Sequence, residues 1–221
     1  MLIPATFHQY RAHTPVVMDE SWLAGRVREF AALRGRHIES WVGVEWALRE
    51  DVAGTGPQFR DPSVPCLQLW GLLATLDDDE PFGIGTYEHS TDCGLWRHEW
   101  LQPKLQNQDV WDGITRWQAF GELPTGHVDE VAVFVGSSVV AEVLLTIGGR
   151  PLLLMAGEAS ETWGDELRFV RLDESVLVFT DPAEADSISW ASPREGLVQV
   201  TPDLSPSGVP PTAAPPMLRR T

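Results

Sequence analysis

Apolar residues recur first with the spacing of a helix and then with the two-residue period of β-strands. Within residues 19–36, apolar side chains such as Val27 and Phe30 fall on one stripe of a helix. Asp19 is suited to cap the N-terminus of this helix, and Gly35 is suited to end it. The pattern therefore predicts one amphipathic helix near the start of the chain.

After this helix, apolar and polar residues alternate. Residues 41–50 fit a half-buried strand, although a continued helix through Trp41 and Glu45 is the alternative. Residues 50–65 are rich in Gly and Pro and predict a loop. Further strands are predicted at 66–76, 81–89, 94–101, 128–135, 139–147, 150–157, 166–172 and 175–180.

The order of these elements predicts an α+β fold. We expect a mainly antiparallel, twisted β-sheet built from two β-meanders, with the N-terminal helix packed on it. Asp181 and Pro182 predict a short C-terminal helix after the last strand. Residues 1–200 are expected to form a single β-rich domain, and the Pro-rich residues 201–221 a disordered tail.

Composition narrows the possible partners. The formal net charge is −16, which disfavours binding to nucleic acid or to anionic lipid. No apolar stretch has the length of a membrane helix, and the N-terminus lacks the pattern of a signal peptide. With only two cysteines, a disulfide framework is not expected. We therefore expect a cytoplasmic protein that binds no membrane and no nucleic acid, of undetermined oligomeric state.

The negative charge is concentrated in places. Residues 77–92 contain six acids and no base, and acidic loops follow at 158–166 and 173–186. Such a surface is suited to a basic protein partner, although it could also serve solubility alone. The residues predicted to bind this partner are Asp77, Asp78, Asp79, Glu80, Glu88, Asp92, Glu158 and Glu161.

A second candidate site lies in the stretch YEHSTDCGLWRHEW. His89, Cys93 and His98 are zinc-ligand types, and a hairpin that pairs Leu76 with Pro81 would bring Cys66 close to them. The same residues could form a thiol centre in which a histidine activates Cys93. The alternative is structural, because cysteine is a common buried residue and no CxxC or HxxxH pair is present. We expect no cofactor, with zinc at these four residues as the alternative.

The chain contains ten tryptophans, and two of them, Trp96 and Trp100, lie in the strand predicted at 94–101. Alternation places Trp96, His98 and Trp100 on one face, which we expect to point into the core and to stack on Trp70 or Trp46. If this face were exposed instead, its tryptophans would suit an interface.

These patterns favour a non-enzymatic, acidic binding protein. Its most concrete form is an immunity-type inhibitor that neutralises a basic toxin or nuclease by occlusion. The first alternative is a metal- or thiol-dependent enzyme that uses His89, Cys93 and His98. The second alternative is a structural or assembly protein.

Overall fold

A computed structural model describes residues 20–52, 54–99, 113–162 and 166–200. Antiparallel strands dominate, which confirms the predicted sheet, and a helix precedes them. The elements are α1 (Glu20–Ala31), β1 (His37–Trp46), β2 (Leu67–Leu76), β3 (Pro81–His89), β4 (Asp92–Arg97), β5 (Thr115–Ala119), β6 (Gly126–Gly136), β7 (Val139–Ile147), β8 (Arg150–Glu161), β9 (Leu167–Phe179), α2 (Pro182–Ser187) and β10 (Val198–Val200).

The strands form one sheet that closes on itself. Their order is β4-β3-β2-β9-β8-β7-β6-β1-β5, with β10 beside β6. Because β1 also pairs with β2, the strands β1, β2, β9, β8, β7 and β6 form a continuous ring. The sequence predicted an antiparallel, twisted sheet, and its closure through the β1–β2 pairing is an addition from the structure.

One edge of β2 is shared between two partners. Its N-terminal part pairs with β9, where Leu67 faces Val178. Its C-terminal part pairs with β3, where Leu72 faces Ile84. The β3–β4 hairpin therefore branches away from the ring partway along β2, and this branch point determines which residues of the candidate sites can meet.

The main core lies between α1 and the inner face of the sheet. Val27, Phe30 and Leu33 from the predicted stripe are buried in it, and the Phe30 ring contacts the Phe82 ring edge-on at 5.9 Å. The helix ends at Ala31, earlier than expected, because the next residues form tighter turns. Gly35 then adopts a φ of 85° and donates its N–H to the Val128 carbonyl, so the predicted cap ends the whole helical segment.

A smaller apolar cluster covers the outer face of β8 and β9. Met155 and Phe179 are fully buried there beneath Ala185 of α2. The predicted cap of α2 is confirmed, because the Asp181 carboxylate accepts the Ala183 N–H at 3.0 Å. Trp190 closes the cluster by donating its indole N–H to the Ala185 carbonyl at 2.8 Å.

The two strands predicted at 166–172 and 175–180 are a single strand, β9, with a bulge. Its register against β8 jumps from Val176 opposite Ala156 to Arg171 opposite Gly157. Residues 172–175 therefore have no partners in this ladder, and Leu172 has a φ of 58°, which a branched side chain rarely adopts. The predicted break coincides with this bulge.

The predicted orientation of β4 is wrong. Leu95 is fully buried in the main core, so the alternate residue Trp96 lies on the opposite face, where it is half-buried. There, the Trp96 ring lies 6.1 Å from the Tyr87 ring and 5.3 Å from the His98 ring. Because β4 carries apolar residues on both faces, the alternation of the sequence does not show which face points into the core. Trp100 lies outside the described residues.

Within the part of the chain that the structure describes, no helix combines the length and apolar character needed to span a membrane. The Asp19 cap and the Pro-rich tail at 201–221, both predicted from the sequence, lie outside the described residues.

Candidate functional site

The predicted acidic residues divide between the two ends of the β3 strand. Asp77 to Glu80 form the turn that precedes β3, whereas Glu88 and Asp92 lie near the turn that follows it. A nine-residue strand spans about 30 Å at 3.3 Å per residue, so these two groups are separate surfaces.

The first group, the turn at Asp77–Glu80, is largely paired with arginines. Arg36 contacts Asp78 at 2.6 Å and Asp77 at 3.1 Å. Glu80 receives a 2.8 Å contact from Arg97. These acids are exposed, so the ion pairs add little stability, but they do cancel much of the local negative charge.

The second group is larger than the sequence indicated, and we call it the acidic cluster. It consists of Glu88, Asp92, Glu158, Asp173 and Glu174. Four of its members act on the pKa of Cys93, and two of these four, Asp173 and Glu174, also act on the pKa of the fifth member, Glu158. Among the residues that the structure describes, none of these five carboxylates forms an ion pair.

The bulge in β9 builds this cluster. By displacing residues 172–175 from the ladder, it brings Asp173 and Glu174 to Glu158 on the neighbouring strand. The Thr86 hydroxyl donates to the Glu174 carbonyl, which ties the β3–β4 hairpin to the bulge. The acids of the hairpin and those of the bulge are therefore held on one surface.

The neighbouring negative charges change the pKa of Glu158. Burial, together with the charges of Asp173 and Glu174, raises the pKa of its carboxyl from an ordinary 4.5 to about 7. Carboxyl groups with such raised pKa values are concentrated at functional sites. Glu158 is thus poised to change charge near neutral pH.

Glu161, the remaining predicted partner residue, lies outside this cluster. Its carboxylate lies 3.6 Å from the Arg49 guanidinium, which also contacts Asp61 at 2.8 Å. Like the turn at Asp77–Glu80, it is therefore already associated with a cation.

The predicted convergence of Cys66 on His89, Cys93 and His98 is wrong. It required β2 to pair with β3 along its whole length, but the ladder between them runs only from Thr75 opposite Pro81 to Leu72 opposite Ile84. On the N-terminal side of Leu72, from Leu67 to Leu69, β2 pairs with β9 instead.

The two cysteines consequently belong to different surroundings. Cys66 packs against the outer cluster that includes Met155, whereas Cys93 is buried beside the acidic cluster. Across the described ranges, no group of three or more His, Cys, Asp or Glu side chains is arranged to hold a metal ion.

Neither thiol resembles an activated nucleophile. Burial raises the pKa of Cys66 to about 12, and the charge of Glu184 adds to the effect. Burial, followed by nearby carboxylates of which Asp173 is the strongest, raises the pKa of Cys93 to about 12. Catalytic thiols need the opposite shift, so both cysteines remain protonated at neutral pH.

Sequence reasoning missed two buried carboxylates that are fully paired. Glu45 is 1% exposed and contacts Arg60 at 2.7 Å and Arg116 at 2.6 Å. Glu142 is 2% exposed and contacts Arg194 at 2.7 Å. In the sequence, each of these glutamates is the single acid of an otherwise apolar segment, and this pattern could have identified both as buried and paired. These pairs hold strands and loops together.

No protein-family model, curated protein or solved structure matches this chain.

Proposed function

We propose that the protein binds a basic protein partner and that the partner docks on the acidic cluster. The observation that carries this proposal is a set of five neighbouring carboxylates, without an ion pair among the described residues, one of which is a glutamate whose pKa is about 7. Like charges held this close repel one another, and a cation placed among them relieves that repulsion. Lys or Arg side chains of a partner supply such cations.

The separation of the two acidic surfaces supports this choice of site. At the turn of Asp77–Glu80, a partner would have to compete with Arg36 and Arg97. At the acidic cluster, partner cations meet carboxylates that have no such competitor within the described ranges. The turn then contributes through the long-range field that steers association more than through direct contacts.

An immunity-type inhibitor is the most concrete form of this function. In this form, the acidic cluster pairs with Lys and Arg side chains that a basic toxin or nuclease uses to hold its own anionic substrate. Occlusion of that surface needs no chemistry from the inhibitor, which agrees with thiols whose pKa values are about 12.

Affinity capture with a matched variant tests the proposal. The wild-type protein and the Glu158→Gln/Asp173→Asn/Glu174→Gln variant are used to capture polypeptides from the native host, and the captured proteins are quantified by mass spectrometry. We expect a basic polypeptide that is enriched by the wild type and reduced at least about tenfold by the variant, as for charge pairs at an interface. A variant with Asp77→Asn, Asp78→Asn and Asp79→Asn carries the same change in formal net charge and should retain most of the capture.

Two outcomes contradict the proposal. One is the absence of any enriched basic polypeptide, and the other is equal loss of capture in both triple variants, which would indicate a dependence on net charge alone. If a nuclease is captured, the inhibitor form further requires that stoichiometric addition of the wild-type protein abolish its activity.

A further inference from the structure

A surface cavity lies away from the acidic cluster, between the β1–β2 loop and the end of β9. Its volume is about 530 Å³, within the range of roughly 300–1,000 Å³ that small-molecule sites occupy. Its walls are mostly apolar and include Val64, Pro65, Leu67, Leu123 and Val178. The size and lining of the cavity suit the apolar part of a small organic molecule.

Polar contacts fix the loop that forms one wall of this cavity. The Asp61 carboxylate accepts a hydrogen bond from Arg49 at 2.8 Å and two from Ser63, at 2.7 Å from its hydroxyl and 2.9 Å from its N–H. These bonds lower the pKa of Asp61 to about 2, so the carboxylate stays ionised and attached. The wall is thus preorganised by the chain itself.

Arg60 is the one basic residue that lines the cavity within the described residues, and its charge is already compensated. Its guanidinium donates to the buried Glu45 at 2.7 Å and to Glu122 at 2.9 Å. An anionic ligand would therefore have to compete with two carboxylates. The cavity offers little attraction to anions.

Glu184 differs from the other charged residues of the lining. It belongs to the first turn of α2, and its carboxylate has no ion-pair or hydrogen-bond partner among the residues that the structure describes. Glu184 is exposed, yet its charge contributes, after burial, to the raised pKa of Cys66, so its carboxylate acts on the cavity wall. Glu184 also borders a second cavity of about 330 Å³, which adjoins the first at Pro65.

We propose that this cavity binds a small organic cation, with the positive nitrogen at Glu184 and the apolar body against Leu67 and Val178. Charge complementarity favours this occupant, because Glu184 supplies the uncompensated charge of the described lining while the remaining walls are apolar or neutralised in pairs. The site shares no residue with the acidic cluster, so the proposal goes beyond the docking of a basic partner.

Three probes with a similar apolar body and a cationic, neutral or anionic end group test the proposal: phenylbutylamine, phenylbutanol and phenylbutyrate. Each is titrated into the full-length protein while the amide NMR signals are followed and the heat of binding is measured. We expect saturable binding of the amine in the millimolar range, with the largest shifts at Leu67, Val178 and Glu184. The alcohol should bind about tenfold more weakly, because it lacks the charge-assisted contact, and the butyrate more weakly still.

Glu184→Gln keeps the shape of the side chain and should reduce binding of the amine to the level of the alcohol. Glu130→Gln removes the same charge from an exposed position on β6 and should leave the binding unchanged. Equal affinity for the amine and the alcohol, unchanged binding in Glu184→Gln, or shifts centred elsewhere would each overturn the proposal. The three ligands already make this comparison in the wild type, so the test does not depend on the variants.

Discussion

Replacing Glu158 by Gln should stabilise the protein at neutral and alkaline pH. Burial and the neighbouring acids raise the pKa of Glu158 to about 7 in the folded state, against an ordinary 4.5. Below about pH 4.5 the carboxyl is protonated in both the folded and the unfolded chain, so it contributes nothing. Between these two values the unfolded chain releases its proton while the folded chain retains it, so stability falls as the pH rises.

The magnitude follows from this difference in pKa. The full difference corresponds to about 3 kcal/mol at 1.36 kcal/mol for each tenfold change in proton affinity. Glu158 is only partly buried, so solvent screening reduces the expected effect to about 1–2 kcal/mol. For a chain of this length, that gain raises the melting temperature by roughly 2–8 °C.

Urea denaturation of the wild type and Glu158→Gln, at a series of pH values from 4 to 8, measures this effect. We expect the free energies of unfolding to agree at pH 4 and to diverge progressively up to pH 8, with the variant more stable. The control Glu130→Gln, at an exposed position, should show no such divergence. A difference that is independent of pH, or a variant that is less stable at pH 8, would refute the electrostatic reasoning.

Three further predictions concern packing and thiol chemistry. Glu45→Gln should lower the free energy of unfolding by about 1–3 kcal/mol in urea denaturation, because the buried carboxylate loses its charge-assisted contacts to Arg60 and Arg116, whereas both arginines are partly exposed and Arg60 keeps its contact to Glu122. Arg36→Ala should lower it by less than about 1 kcal/mol in the same assay, since its ion pairs are exposed to solvent. Cys66 and Cys93 should react with iodoacetamide far more slowly than a model thiol at pH 8, because both pKa values are about 12; rapid alkylation of either in the folded protein would contradict this.

The local pattern of the sequence predicted most of the elements, because strands and helices bury one periodic set of side chains. Val27 and Phe30 lie in the core as the helical stripe predicts, and Asp181 caps α2. The Gly148-Gly149 turn joins β7 and β8 at the predicted place, with both glycines at positive φ.

The pairing between distant strands could not be predicted in this way. Nothing local to Leu67 or Leu72 shows that one edge of β2 pairs first with β9 and then with β3. That change of partner separates Cys66 from Cys93 and removes the predicted zinc site. In β4, apolar residues on both faces left the inward one undetermined, and the core contains Leu95 rather than Trp96.

The acidic cluster was predictable only in part for the same reason. Charge alone makes Glu88, Asp92 and Glu158 candidates, and it also indicates an acidic loop that begins at residue 173. Their convergence depends on the bulge at 172–175, which transfers Asp173 and Glu174 from a ladder to the surface beside Glu158. The signal in the sequence was the break between the strands predicted at 166–172 and 175–180, because this break consists of two acids.

The pKa of the Glu158 carboxyl, measured by carbon NMR in the free protein and in its complex with the captured basic polypeptide, tests the docking proposal most directly. We predict a value of about 7 in the free protein and a clear decrease in the complex, because partner cations favour the ionised carboxylate. An ordinary value near 4.5 in the free protein, or an unchanged value in the complex, would contradict the proposal that the acidic cluster is the docking site.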